Sequence, residues 1–123
     1  MQLVNWWKVV VLERFAQFVG RAGRAEFWWF ALANFIASLI LNLLGRASGI
    51  FVVLGLIYSL GVLVPSIAVG IRRLHDTTKS GWWLLIGLVP LVGFIVLIVF
   101  FATQGNPGPN QYGPPPPSEP AAA

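Results

Sequence analysis

Three long apolar runs alternate with short polar links along the chain. The runs cover residues 27–44, 50–71 and 82–102, and none of them contains a charged residue. An α-helix that crosses the hydrocarbon core of a bilayer needs about 20 mainly apolar residues. The pattern therefore predicts an all-α membrane protein, in which three transmembrane helices form a small bundle over residues 27–102.

The arm formed by residues 1–26 has a weaker apolar pattern, which Lys8, Glu13 and Arg14 interrupt. Each charge at bilayer depth costs roughly 2.5–3.5 kcal/mol, so we do not expect the arm to span the membrane. A helical repeat of about 100° per residue places most apolar side chains of the arm on one arc. These are Leu3, Val4, Trp7, Val10, Val11, Phe15 and Phe18. We expect an amphipathic helix that lies at the membrane interface.

The C-terminal tail, residues 103–123, has the composition of an extended or disordered segment, because seven of its 21 residues are proline. Two interpretations remain open. Residues 114–117 are consecutive prolines that could dock along a partner in the polyproline conformation. Alternatively, the tail is a disordered chain end.

Composition agrees with a membrane location and narrows the possible chemistry. Hydrophobic residues make up 57% of the chain and charged residues 10%, whereas soluble domains have about 25% charged residues. The absence of cysteine excludes disulfides and thiol catalysis, and a single histidine argues against a metal site. We expect no cofactor. We also expect no nucleic-acid partner, because no pattern of basic and aromatic residues typical of nucleic-acid binding accompanies the positive charge.

Basic residues and tryptophans are unevenly distributed between the two ends of the predicted helices. With three spans, seven of the eight basic residues fall on the side of the N-terminus, and Arg46 alone falls on the other. All six tryptophans fall on the N-terminal side as well. Cytoplasmic loops are enriched in Lys and Arg, and tryptophan prefers membrane interfaces. We therefore expect a multi-pass protein with a cytoplasmic N-terminus and a periplasmic or external C-terminus.

The candidate chemistry gathers at the predicted cytoplasmic ends of the first two helices. Candidates for binding a lipid headgroup or a small anion are Arg24, Arg72, Arg73 and His75. Glu26 and Asp76 are candidates for structural ion pairs. We expect each carboxylate to pair with an arginine and at least one of Arg72 and Arg73 to stay free for a lipid phosphate. The alternative is that all these charges only fix the helix ends and the orientation. We identify no catalytic residue.

A polar stripe runs along the first predicted helix, because Asn34, Ser38 and Asn42 recur every fourth residue. Polar groups are costly in lipid unless they are paired, so the stripe should face other helices or a partner. Helix packing is favoured over a transport path because nothing in the stripe is ionisable.

Three segments resemble a known family. They are GRAGRAEFWWF (residues 20–30), PSIAVGIRRLHDTTKSGWWLLIGLVPLVG (residues 65–93) and GNPGPNQYGPPP (residues 105–116). In order and spacing they resemble the bacterial inner-membrane proteins called domain of unknown function 805. The chain departs from the family pattern at Thr78, where relatives have glycine, at Gln111, where they have arginine, and near residues 114–115, where they have an acidic residue. The resemblance implies the fold and an inner-membrane location, but no activity.

Two hypotheses for the function follow. The first is a non-enzymatic accessory or assembly subunit of a larger bacterial membrane complex, with membrane lipids and other membrane subunits as partners, in a hetero- or homo-oligomer. The second is an oligomeric protein that binds lipid headgroups or small anions at its cytoplasmic face and is related to transport.

Overall fold

A computed structural model describes residues 2–116, so Met1 and the tail predictions for residues 117–123 lie outside the described residues. Within this range the regular structure is helical, and only an isolated bridge between Asn110 and Gly113 has strand-like pairing. The elements in chain order are α1 (Gln2–Lys8), a π-helical segment (Val9–Glu13), α2 (Arg24–Gly45), α3 (Gly49–Asp76), a 3₁₀ segment (Gly81–Leu88) and α4 (Val92–Ala102).

Helices α2 and α3, the two longest elements, pack against each other as an antiparallel pair. They contain 22 and 28 residues, and both are long and apolar enough to cross a membrane. A tight turn joins them, and Ser48 begins α3 by accepting a hydrogen bond from the Ile50 N–H group through its hydroxyl at 3.4 Å. Most of their apolar side chains are exposed, as expected where lipid covers the surface. The first two predicted helices are confirmed.

The arm packs along the helix pair. Trp6, Val9 and Val10 are buried, and the indole N–H of Trp7 donates to the hydroxyl of Tyr58 at 3.0 Å. Tyr58 precedes the last residue of α3, Asp76, by 18 positions, which is about 27 Å along a helix. The arm therefore contacts protein along the helix pair, and its predicted position on the membrane surface is not confirmed. The apolar side of α1 finds protein partners instead, and Val4 of the predicted arc is exposed.

The third apolar run forms two short antiparallel segments and not the predicted continuous helix over residues 82–102. The 3₁₀ segment has 8 residues and α4 has 11. Between them Pro90 lacks the N–H group that a helix needs, and Leu91 has a positive φ of 65°. The Val92 N–H group donates to the Pro90 carbonyl oxygen at 2.7 Å, which closes a γ-turn at Leu91.

The tail returns to the end of the helix pair where the arm enters α2. The Asn106 N–H group donates to the carbonyl oxygen of Asp76, the last residue of α3, at 3.0 Å. The tail therefore contacts the end of the helix pair that the arm enters, and the predicted separation of tail and arm on opposite sides of the membrane is not confirmed. Residues 103–116 are docked on the protein, whereas we expected either a partner-bound or a disordered tail. The small buried core, which includes Val10, Ala22, Phe30 and Val69, lies at this same end.

Candidate functional site: the arginine–carboxylate cluster

Six charged side chains meet where α2 begins and α3 ends. We call them the arginine–carboxylate cluster: Arg14, Arg21, Glu26, Arg72, Arg73 and Asp76. Glu26 lies in the first turn of α2, and Asp76 is the last residue of α3. Negative charge is stabilised at a helix N-terminus and positive charge at a helix C-terminus, so the positions of Glu26 and Arg73 suit the helix dipoles, whereas Asp76 needs its arginine partners.

One half of the cluster is built around Glu26, which is fully buried. Its Oε1 atom lies 2.6 Å from Nη1 of Arg14, and its Oε2 atom accepts from Nη1 of Arg72. The Nε–H group of Arg72 donates to the Gln17 carbonyl oxygen at 2.9 Å. This half therefore ties the segment that follows the arm helix to both α2 and α3.

The other half is built around Asp76, whose two carboxylate oxygens each receive a different arginine. Arg21 donates from Nε to Oδ1 at 2.9 Å, and Arg73 donates from Nη1 to Oδ2 at 2.8 Å. All three residues are buried, with at most 6% of each exposed. Charge-assisted hydrogen bonds of this kind are about twice as strong as neutral ones, which favours a fixed geometry.

The remaining donors of Arg21 and Arg73 hold the tail. Arg21 donates to the carbonyl oxygens of Asn106 at 2.7 Å and Gly108 at 2.8 Å. Arg73 donates to the carbonyl oxygens of Phe101 at 2.9 Å and Thr103. Carbonyl groups at the end of a helix have no partner within the helix, so Arg73 caps α4. The cluster thus connects the arm, both long helices and the tail.

His75 adds a second contact between α3 and the tail. Its ring stacks on the ring of Tyr112, with centroids 3.9 Å apart and planes 3° from parallel. Its Nδ1 atom lies 2.9 Å from the Gly20 carbonyl oxygen, and Asn110 donates to the His75 carbonyl oxygen at 3.0 Å. This histidine is therefore engaged in structure on several sides and does not face a reactive partner.

The predicted anion-binding residues do not form one exposed site, because Arg24 is exposed whereas Arg72 and Arg73 are buried. Arg72 and Arg73 are fully buried and paired with Glu26 and Asp76, so neither is exposed to a lipid phosphate in the way that we expected, and Nη2 of Arg72 has no hydrogen-bond partner among the described residues. Arg24 is exposed and borders a cavity of about 410 Å³ between the start of α2 and the tail. Among residues 2–116, no group of three His, Cys, Asp or Glu side chains could hold a metal ion.

The predicted polar stripe lies on α2 away from the cluster. Asn42 donates to the Ser38 carbonyl oxygen at 2.8 Å and is exposed. The side-chain oxygen of Asn34 is buried without a hydrogen-bond partner in the described part of the chain. Ser38 and Asn42, but not Asn34, border a cavity of about 180 Å³ between α2 and α3, which is also lined by Tyr58 and Ser59.

Sequence reasoning missed Arg14 and Arg21 as partners of the carboxylates. One signal was available, because the chain has only four acidic residues against eight basic ones, and each buried carboxylate can accept more than one arginine. It also missed the tail residues Asn106, Asn110 and Tyr112, which are anchored to α3 and Arg21.

Comparison with known proteins places the sequence in a family. The family model of DUF805, described as a protein of unknown function, matches residues 15–114. The chain belongs to the DUF805 family. The matched residues include all of the cluster except Arg14. No solved structure matches the chain.

The DUF805 chain is similar to three proteins of Escherichia coli K12. It is 44% identical over 108 residues to inner membrane protein YhaI, covering 87% of this chain and 92% of YhaI. It is 42% identical over 119 residues to inner membrane protein YhaH, covering 93% and 98%. It is also 36% identical over 95 residues to the uncharacterized protein YiiR, covering 72% and 55%. Together with the apolar helices, these relatives show that the chain is a membrane protein.

Proposed function

We propose that this protein is a non-enzymatic accessory or assembly subunit of a larger complex in the bacterial inner membrane. The observation that carries the proposal is the polar groove, which we define as Ser38, Asn42, Tyr58 and Ser59 around the cavity between α2 and α3. Asn42 and Ser59 are exposed on helices long and apolar enough to cross a membrane. Polar side chains that face hydrocarbon are costly, whereas a helix of another subunit can satisfy them by hydrogen bonds.

The cluster supports a structural role and not an enzymatic one. Its arginines donate to two carboxylates and to backbone carbonyl oxygens. Both carboxylates are therefore used in contacts that hold the chain together. We also propose that the cluster end is cytoplasmic, because seven of the eight basic residues lie in the arm, at the end of α3 or just after it. Cytoplasmic segments of membrane proteins are enriched in Lys and Arg.

The test is native mass spectrometry after extraction in mild detergent. We expect a stoichiometric heterologous membrane protein, and we expect Asn42→Leu to raise the Kd of the complex roughly fivefold and so lower the bound fraction, as the loss of one interhelical hydrogen bond of about 1 kcal/mol implies. The exposed neighbour Leu43 provides a control, and Leu43→Ala should leave the bound fraction unchanged. A chain that is recovered only with lipid, or equal binding by both variants, would contradict the proposal.

A second candidate function is the recognition of lipid headgroups or small anions by an oligomer, in a transport-related role. The exposed Arg24 favours it, since this arginine borders a cavity together with the backbone at the start of α2. The Gly23 cap offers no side chain to that helix end, which is a favourable place for an anion. An anionic lipid retained in the homo-oligomer and lost in Arg24→Gln would support this candidate over the first.

A further inference from the structure

We propose that residues 81–102 form a re-entrant hairpin that is embedded in the acyl chains of one leaflet, so that the chain crosses the membrane only twice. In this arrangement the tail returns to the same side of the membrane as the cluster. The inference concerns the path of the chain through the bilayer and does not depend on the proposed accessory role.

Neither segment of the hairpin is long enough to cross the membrane. The 3₁₀ segment of 8 residues extends about 16 Å at about 2 Å per residue, and α4 with 11 residues extends about 16 Å at 1.5 Å per residue. The hydrocarbon core is about 30 Å thick, so neither segment crosses it. Each segment matches the depth of one leaflet.

The two segments close against each other along their length. The rings of Trp83 and Phe100, at the open end of the hairpin, lie 5.5 Å apart in an edge-to-face arrangement. Nearer the tip, Gly93 packs so closely on the Ile86 carbonyl group that a Cβ atom at this position would overlap it. The segments are therefore a packed unit and not two halves of a bent spanning helix.

Both feet of the hairpin are attached to the cluster end of α3. The first foot follows Asp76 after only four residues, and Ser80 accepts from the Trp82 N–H group. The second foot is held by Arg73, which donates to the Phe101 and Thr103 carbonyl oxygens. The Nζ atom of Lys79 lies 4.7 Å from the centroid of the Phe100 ring, so a cation–π contact links the first foot to the second. Both ends of the hairpin therefore lie at the same end of α3.

The outer surface of the hairpin fits acyl chains. Residues 81–102 carry no charge, and the side chains around the tip are exposed and apolar, including Leu88 at 80% and Leu91 at 72% exposed. Trp82 and Trp83 stand at the first foot, the depth at which tryptophan is enriched in membranes.

Backbone groups at bilayer depth must be satisfied locally, and the tip meets much of this requirement. Pro90 has no N–H group to satisfy. The N–H groups of Val89, Val92 and Gly93 donate to carbonyl oxygens within four residues, at 2.7–3.0 Å.

The test uses single cysteines, since the chain has none of its own. A membrane-impermeant maleimide is applied to spheroplasts before and after permeabilisation, with Ala47→Cys in the α2–α3 turn, Thr78→Cys after α3 and Gln111→Cys in the tail. All three positions are exposed. We expect Gln111→Cys and Thr78→Cys to label together, at least tenfold more after permeabilisation, and Ala47→Cys to label without it.

Labelling of denatured protein serves as the control that every thiol is intact. If Gln111→Cys labels in the same condition as Ala47→Cys and not with Thr78→Cys, the run 81–102 crosses the membrane and the hairpin is wrong. If all three patterns invert together, the hairpin stands and only the orientation is reversed. The result is thus independent of any partner protein.

Discussion

At the scale of single residues, each buried carboxylate of the cluster has one arginine partner that comes from elsewhere in the chain. Glu26 on α2 is matched by Arg14 from the arm, and Asp76 on α3 is matched by Arg21 from the link before α2. Removing one member of a buried pair leaves the other charge uncompensated, which costs far more than the net gain of the pair itself. The cluster should therefore be sensitive to neutralisation at either carboxylate.

Neutralising Glu26 tests this directly. Glu26→Gln leaves Arg14 and Arg72 without a counter-charge, and Arg72 is fully buried. We therefore expect the free energy of unfolding in lipid nanodiscs to fall by about 3–5 kcal/mol. Glu13→Gln is the control, because Glu13 is exposed, and its effect should stay within about 0.5 kcal/mol. Similar melting of the two variants would show that the cluster does not stabilise the fold.

Replacing Thr78, in contrast, should raise the stability of the protein. Thr78 follows α3 with a positive φ of 61°, and the Lys79 and Thr78 N–H groups donate back to Leu74 and His75, as in a helix end that favours glycine. A β-branched residue is strained there. We expect Thr78→Gly to stabilise the protein by about 1 kcal/mol in thermal unfolding. Thr77→Gly, at a negative φ, should not stabilise it, and a gain by both variants would refute the strain argument.

At the scale of elements, the sequence predicts the two long helices well and the third run poorly, for a physical reason. Hydropathy counts apolar residues, and a continuous 21-residue helix has the same count as two antiparallel segments of half the length. The direction of the chain is decided by a γ-turn at Leu91 and by close packing at Gly93, which no periodicity reveals. Pro90, in the middle of the run, was the only local sign.

Gly93 is the position at which the hairpin is most sensitive. A Cβ atom there would overlap the carbonyl group of Ile86, so Gly93→Ala should separate the 3₁₀ segment from α4. We expect a loss of about 2 kcal/mol in stability. Gly61→Ala on α3 is a matched control with open space at its Cβ, and it should be neutral or stabilising. Equal melting temperatures for both variants would mean that the two segments are not in contact.

At the scale of the whole molecule, the cluster joins segments that are distant in sequence. Pairing of Glu26 and Asp76 with some arginine could be expected from charge alone. The identity of the arginines could not, because it depends on the path of the arm along α2 and on the return of the tail. The count of basic residues was equally silent about the tail, since residues 103–116 carry no charge.

Adding a single methyl group at Gly105 should weaken the docking of the tail. A Cβ atom on Gly105 would overlap the Asp76 carboxylate, whereas one on Gly108 would meet nothing within 4 Å. We expect Gly105→Ala to release the tail and to speed chymotrypsin cleavage after Tyr112 at least tenfold, because the ring no longer stacks on His75. Gly108→Ala should cleave like the unchanged protein. A cleavage rate that Gly105→Ala does not alter would mean that the tail is held without the cluster.

The central claim is that the tail is docked at the cluster end of the helix pair, and oxidative cross-linking tests it most directly. The rings of His75 and Tyr112 stack at 3.9 Å, so His75→Cys paired with Tyr112→Cys should form a disulfide on mild oxidation in native membranes. Ala47→Cys paired with Tyr112→Cys should remain reduced, because about 40 Å of α3 separates the two ends. A disulfide in the second pair and none in the first would place the tail at the opposite end of the molecule and contradict the account.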